Sequence, residues 1–155
     1  MSVAFRRESD EEHLEPKFEL PIPPGPNYVT PAGLVQIEAR VAALGATLEA
    51  TLGAGGSEEA VKAIRRDFRY WRQRLSSAQP APAPPPGRAG IGSCVTFVLR
   101  DREQAMTISG HDEADPAAGR IAFSSPLARA LLGTRAGDYA DFGGEEEAIE
   151  VIAIR

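Results

Sequence analysis

Asp112, Glu113 and Asp115 crowd three carboxylates into the run HDEADPAAGRIAFSSPLARALLG, residues 111–133. Carboxylates this close can hold a divalent cation. Where the letters D-E-A-D end an apolar strand beside a G-x-x-x-x-G-K-[ST] loop, that cation is Mg²⁺ and the substrate a nucleoside triphosphate. This chain has no such loop: its two lysines, Lys17 and Lys62, follow Pro16 and Val61. The acids before Pro116 therefore read as a turn, either solvated and held by Asx hydrogen bonds or presented to a partner.

Other reactive side chains are few. Ser125 stands before Pro126 as a helix cap, and a cap on an exposed loop can also present its side chain to a partner. His13 and His111 have no second ligand at a helical or hairpin spacing, so no metal site is expected. The single cysteine, Cys94, excludes an internal disulfide and every multi-cysteine zinc site; within SCVTFVLR it reads as a small buried hydrophobe. No Ser/His/Asp or Cys/His set is suggested. Glu58 and Glu59 follow Ser57 where a helix begins, as acids matched to its dipole. They are the one weak pair of catalytic candidates. Arg65, Arg66, Arg69 and Arg72 read as a solvated helix face, or as contacts to acids or nucleic acid of a partner.

The elements that carry these residues are legible from periodicity. Residues 1–29 mix charge with the prolines of ELPIPPGPNY and read as an acidic tail, extended or disordered until something binds it. Thr30-Pro31 then opens a helix. Leu34, Ile37, Val41, Leu44, Leu48 and Leu52 recur every three or four residues, as do Val61, Ile64, Phe68, Trp71, Leu75 and Ala78 beyond the break GAGG. Two helices joined so briefly must be antiparallel, which predicts a helical hairpin over residues 30–79. QPAPAPPPGRAG contains a stiff proline-rich linker, residues 80–90. From 91 to 155, short β-rich runs around PLARALL predict a small, mostly antiparallel sheet packed on one short helix. The fold class expected is α+β.

Composition narrows the partners. The net charge is −5 over 155 residues, and residues 80–155 carry seven basic against eleven acidic side chains. A binder of bare nucleic acid would show a strong basic surface, so a protein partner fits better. There is no run of 18 apolar residues, and the N-terminus turns acidic where a signal peptide would be apolar. A cytoplasmic, monomeric protein without membrane contact is expected.

A helical hairpin followed by DEADPAAGRIAFSSPLARALLGTRAGD resembles the bacterial transcription elongation factors GreA and GreB, whose C-terminal domain has an FKBP-like fold. VTPAGLVQIEARVAAL looks like the family's first coiled-coil helix, and RYWRQRLSSAQ like the return of the second. The resemblance covers about residues 28–155. It implies binding to RNA polymerase at the secondary channel. The C-terminal domain would dock on the rim through Ser124, Ser125, Pro126 and Leu127, with the turn of Asp112, Glu113 and Asp115 nearby.

The hairpin tip departs from the family. Cleavage-stimulating members resemble G-D-L-x-E-N-A-E-Y there, whose carboxylates help hold a second Mg²⁺ in the polymerase active site, whereas this chain has GAGGSEEAVKA on a shorter arm. Its short tip also resembles the regulator of nucleoside diphosphate kinase, a Gre-like protein. The reading is a polymerase-binding factor that modulates elongation or initiation, with no cofactor and no catalytic residues of its own. Mg²⁺ would enter only if the tip acted inside the polymerase, and nucleic acid would be met only within that complex. The alternatives are a transcript-cleavage factor acting through Glu58 and Glu59, and an FKBP-like peptidyl-prolyl isomerase or chaperone.

Overall fold

The structure, a computed structural model, describes residues 19–155. Most of the tail read from composition, residues 1–18, lies outside the described residues. The chain divides into two compact units, one holding residues 38–76 with the segment up to Pro24, the other residues 25–37 and 77–155.

The first unit is built on a helical hairpin. Helix α1 spans Pro31–Gly53 and helix α2 spans Glu58–Ser77. Gly55 breaks the run in the left-handed conformation (φ 68°), and the Gly56 N–H returns to the Thr51 carbonyl at 2.9 Å. Ser57 then caps α2, its hydroxyl accepting from the Ala60 N–H at 3.2 Å. Across the seam the Arg40 guanidinium lies 5.5 Å from the Trp71 ring, and Gly45 faces the Phe68 ring. Two helices share a single line of contact. Val41, Leu44, Leu48, Ile64, Phe68, Trp71 and Leu75 are accordingly half-buried, and Leu52 at the open end is exposed. Arg74, beside the expected seam, is buried, with its polar atoms satisfied.

The second unit holds the main core. Strand β1, Asn27–Val29, pairs in parallel with strand β2, Ala78–Pro80. The Asn27 amide donates to the Ser77 hydroxyl at 3.1 Å, and the Ala81 N–H to the Val29 carbonyl at 3.0 Å. Composition placed Asn27–Val29 in the tail and Pro80 in the linker. Backbone pairing over 51 residues is what makes strands of both, and no local pattern reports it.

Strands β3 (Cys94–Leu99), β4 (Arg102–Ser109), β5 (Arg120–Ala122), β6 (Tyr139–Phe142) and β7 (Glu145–Ile154) form one sheet in the order β5-β4-β3-β7-β6. Helix α3 is Pro126–Leu131. Val95, Phe97, Ile108, Ala128, Leu131, Ile149 and Val151 are buried almost completely between sheet and helix, where alternate residues of β3 and β7 point inward. The sheet is mixed rather than purely antiparallel, because β4 and β5 run parallel. Parallel neighbours need a crossover. Here it is the acidic turn plus a 3₁₀ turn at Pro116–Ala118, which places DEAD at one end of the sheet. Among the described residues no helix is long and apolar enough to cross a membrane.

Two hairpins solve the same turn differently. Gly143 and Gly144 link β6 to β7 with φ of 64° and 83°, while Arg100 and Asp101 link β3 to β4 with φ of 51° and 60°. Both φ signs are those of the type I′ turn, which favours Asn-Gly. The turn sits one residue before the DRE expected from polarity. Arg100→Asn with Asp101→Gly is expected to raise stability by about 1 kcal/mol, read as a higher urea midpoint with unchanged slope.

Candidate functional site

Two turns meet at the end of β4 and β5. Ser109, the last residue of β4, is buried, and its hydroxyl lies 3.1 Å from the Gly110 carbonyl and 3.3 Å from that of Ile121. The Phe123 N–H donates to the Ser109 carbonyl at 2.9 Å, bringing the segment after β5 beside the segment after β4. The His111 ring packs edge-on against Phe123, with centroids 4.9 Å apart at 80°, and its Nε2 is 3.2 Å from the Ser124 hydroxyl. Tyr28 of β1 meets Phe123 from another direction at 5.6 Å and 67°. The two segments singled out in the sequence, HDEAD and SSPL, thus form one surface fastened by His111 and Ser124.

The members of that surface differ in accessibility. Pro126 is exposed; Asp112, Ser124, Ser125 and Leu127 are half-buried. The Ser125 hydroxyl accepts from the Ala128 N–H at 3.2 Å, the expected cap, with Pro126 in the first turn of α3. Leu127 packs against the core from the helix. Asp115 is held by its backbone, which exchanges hydrogen bonds of 2.9 and 3.0 Å with Arg120. Its carboxylate stands 3.8 Å from the Arg120 guanidinium, and with both side chains well exposed that pair contributes at most about 1 kcal/mol.

Glu113 is the correction. Read as a solvated or partner-facing acid, it is in fact 7% exposed. One carboxylate oxygen accepts from the Gly110 N–H at 3.0 Å and the Thr30 N–H at 3.2 Å, and the other accepts from the Thr30 hydroxyl. Thr30 in turn caps α1, its Oγ1 accepting from the Gly33 N–H at 3.1 Å. A fixed anion therefore sits at the positive end of a 23-residue helix. Gly33 leaves the room, since a Cβ there would run into the Glu113 carboxyl. The acid supports the surface from beneath and is not part of its face.

His111, Tyr28 and Phe123 were not singled out by sequence for this surface. His111 has no second ligand near it in sequence, and Tyr28 falls in the proline-containing tail; nothing local marks either for this surface, because a contact across the fold brings them together. At the other end of the chain, Glu58 and Glu59 are exposed in the first turn of α2. Among the described residues there is no group of three or more His, Cys, Asp and Glu side chains placed to hold a metal ion. Of the aromatics an isomerase would gather, Phe97 lies inside the core and Tyr139 is exposed on the sheet-edge strand β6.

The described chain is thus a helical hairpin followed by a mixed sheet with one short helix, with two adjoined turns at one end of the sheet. Residues 84–155 match the family described as "Transcription elongation factor, GreA/GreB, C-term". The chain is 39% identical over 74 residues to transcription elongation factor GreA of Geobacillus kaustophilus, covering 45% of this chain and 47% of that one. It is 38% identical over 90 residues to GreA of Alkalilimnicola ehrlichii, covering 53% and 56%. It spans about half the length of the curated relatives it matches. The crystal structure of GreA factor homolog 1 (Gfh1) of Thermus thermophilus is 20% identical over 84% of this chain and 99% of that one, with a TM-score of 0.37. Residues 84–155, a little under half of the chain, are thus similar to the C-terminal part of the GreA/GreB transcription elongation factors.

Proposed function

We propose that the protein binds RNA polymerase through its C-terminal unit and modulates transcription elongation or initiation in the cytoplasm. The observation that carries this reading is the coincidence of the family match, residues 84–155, with the unit that holds both turns. Ser124, Ser125, Pro126 and Leu127, with Asp112 and Asp115 beside them, would meet the rim of the secondary channel, and Glu113 would hold their platform to Thr30. The test is binding of the full chain to purified RNA polymerase from the same organism. A saturable complex is expected, and no complex at micromolar concentrations would overturn the reading.

Within it, the hairpin tip does not act as a cleavage cofactor. Glu58 and Glu59 begin α2 at neighbouring positions, about 100° apart around the axis. Mg²⁺ demands near-ideal octahedral ligands at about 2.0 to 2.1 Å, and two carboxylates diverging from one helix turn are poorly placed to share it. Their part is to face the α2 dipole, at about 0.3 to 1 kcal/mol each. Incubated with backtracked elongation complexes and Mg²⁺, the wild type and Glu58→Ala/Glu59→Ala should leave RNA 3′ ends equally long. Shortening by the wild type that disappears in the variant would make both glutamates metal-site residues.

A further inference from the structure

Helix α2 carries a basic stripe that the docking proposed for the C-terminal unit does not use. Lys62, Arg65, Arg66 and Arg69 fall at i, i+3, i+4 and i+7, on one face of the helix. They line a groove of about 680 Å³ in the hairpin unit, together with Glu19 and Glu59. The four cations are not equally available. Arg66 is turned onto its neighbour Asp67, its Nε and Nη2 both donating to Oδ1 at 3.2 Å. Glu19 holds Arg69 with both oxygens, Oε2 accepting from Nε at 3.3 Å and Oε1 from Nη2. Lys62 and Arg65 are exposed, and among the described residues no carboxylate forms an ion pair with either.

That arrangement selects among anions. Glu19 shows which chemistry the stripe accepts, a side-chain carboxylate matched by the guanidinium fork. Both members of the Arg69–Glu19 pair are about half exposed, so the pair is worth little and exchanges readily. Bare nucleic acid is disfavoured, because its affinity comes from neutralising a run of phosphates, and here Glu19, Glu59 and Asp67 stand among the four cations. A segment offering a few spaced carboxylates fits instead. From Lys62 to Arg69 the stripe runs about 10 Å along the axis, the reach of about three residues of extended chain.

We propose that this face of α2 is a docking site for an acidic segment of a partner protein, whose carboxylates pair with Lys62 and Arg65 and take Arg69 from Glu19. Glu19 is then a built-in competitor, holding the Arg69 guanidinium until a stronger acidic ligand arrives. The inference rests on charge and geometry within the hairpin unit and is independent of polymerase docking. Exposed ion pairs are worth little singly, so the site binds through several at once and its affinity is sensitive to salt. The screening length falls from about 10 Å at 0.1 M to about 3 Å at 1 M.

The probe is a fluorescent oligo-L-glutamate, titrated with the full-length protein at low salt and followed by anisotropy. Saturable binding is expected, weakened at least about fivefold by K62Q/R65Q and about tenfold by raising the salt to about 1 M. R102Q/R135Q removes the same charge from exposed arginines elsewhere and should change the affinity less than about twofold. E19Q should bind the probe about threefold more tightly, a gain that misfolding cannot produce, whereas E103Q, which neutralises an exposed acid of β4, should leave the affinity near that of the wild type. No saturable binding, equal losses in the two cation variants, or equal gains in the two acid variants would overturn the proposal, the last two by reducing the effect to net charge. So would a single-stranded RNA of equal charge that bound through Lys62 and Arg65 more tightly than the oligo-glutamate, since the stripe would then be a phosphate site.

Discussion

Replacing Glu113 with alanine is expected to destabilise the protein by about 3 to 5 kcal/mol. The carboxylate accepts from three donors, the Gly110 N–H, the Thr30 N–H and the Thr30 hydroxyl. Alanine would strand them, at about 1 to 3 kcal/mol for each buried group left without a partner. It would also remove the anion from the start of α1, a further contribution of up to about 2 kcal/mol in a partly buried setting. Relief from burying the charge offsets part of this, yet breaking one side of a buried charged contact still costs about 3 to 5 kcal/mol. Glu113→Gln keeps one acceptor but points an amide NH₂ at donors, so its loss should fall between the wild type and alanine. Gly33→Ala gives the sharper sign: on an exposed helix it would stabilise by about 1 kcal/mol, but here the methyl competes with the carboxyl for space, and a loss is expected. Urea unfolding followed by circular dichroism measures all three. A change below about 1 kcal/mol for Glu113→Ala would mean that the carboxylate is not the acceptor described.

The second large effect belongs to the proposed docking surface. Ser125→Glu with Pro126→Ala places a carboxylate beside an exposed position and removes the proline that opens α3. The fold should survive, since a lost cap costs about 1 kcal/mol and a carboxylate at a helix N-terminus recovers part of it. Affinity for RNA polymerase should fall at least about tenfold, or 1.4 kcal/mol, because a charge forced into a protein contact meets no partner. Equilibrium binding of the full-length variant to the purified polymerase decides it. An unchanged affinity with intact circular dichroism would move the contact elsewhere on the protein.

The parts of this fold legible in the sequence are those whose causes are local. The helix beginning at Thr30-Pro31, the break at Gly55 and the Ser125-Pro126 cap each depend on a few neighbouring residues. What stayed hidden depends on distant pairing. Polarity placed Glu113 on the surface, because an acid in a turn is usually solvated, and its burial follows from Thr30, which composition alone put in a different domain. The β1·β2 ribbon was invisible for the same reason, as was the parallel neighbour β5, since a crossover as short as Gly110–Gly119 looks like a hairpin loop. At the candidate site the Ser125 cap was legible, because it depends on residues within one turn of the helix. The union of the two turns through His111, Phe123 and Tyr28 needed the fold.

The tie between Thr30 and Glu113 spans 83 residues, and it therefore sets an order of events on the ribosome. At about 5 to 20 residues per second, Thr30 is made roughly 4 to 17 s before its acceptor. Helix pairing between α1 and α2 needs only local contacts and is complete on far shorter times. Closing that hairpin early shortens the effective loop between Val29 and Ala78, so β1 can find β2 before the sheet exists. The nascent chain then waits with its N-terminal strand half-satisfied until β4 and the acidic turn emerge. A fragment beginning at residue 84, where the family match starts, would never complete that step, because its Glu113 would have no Thr30 to receive.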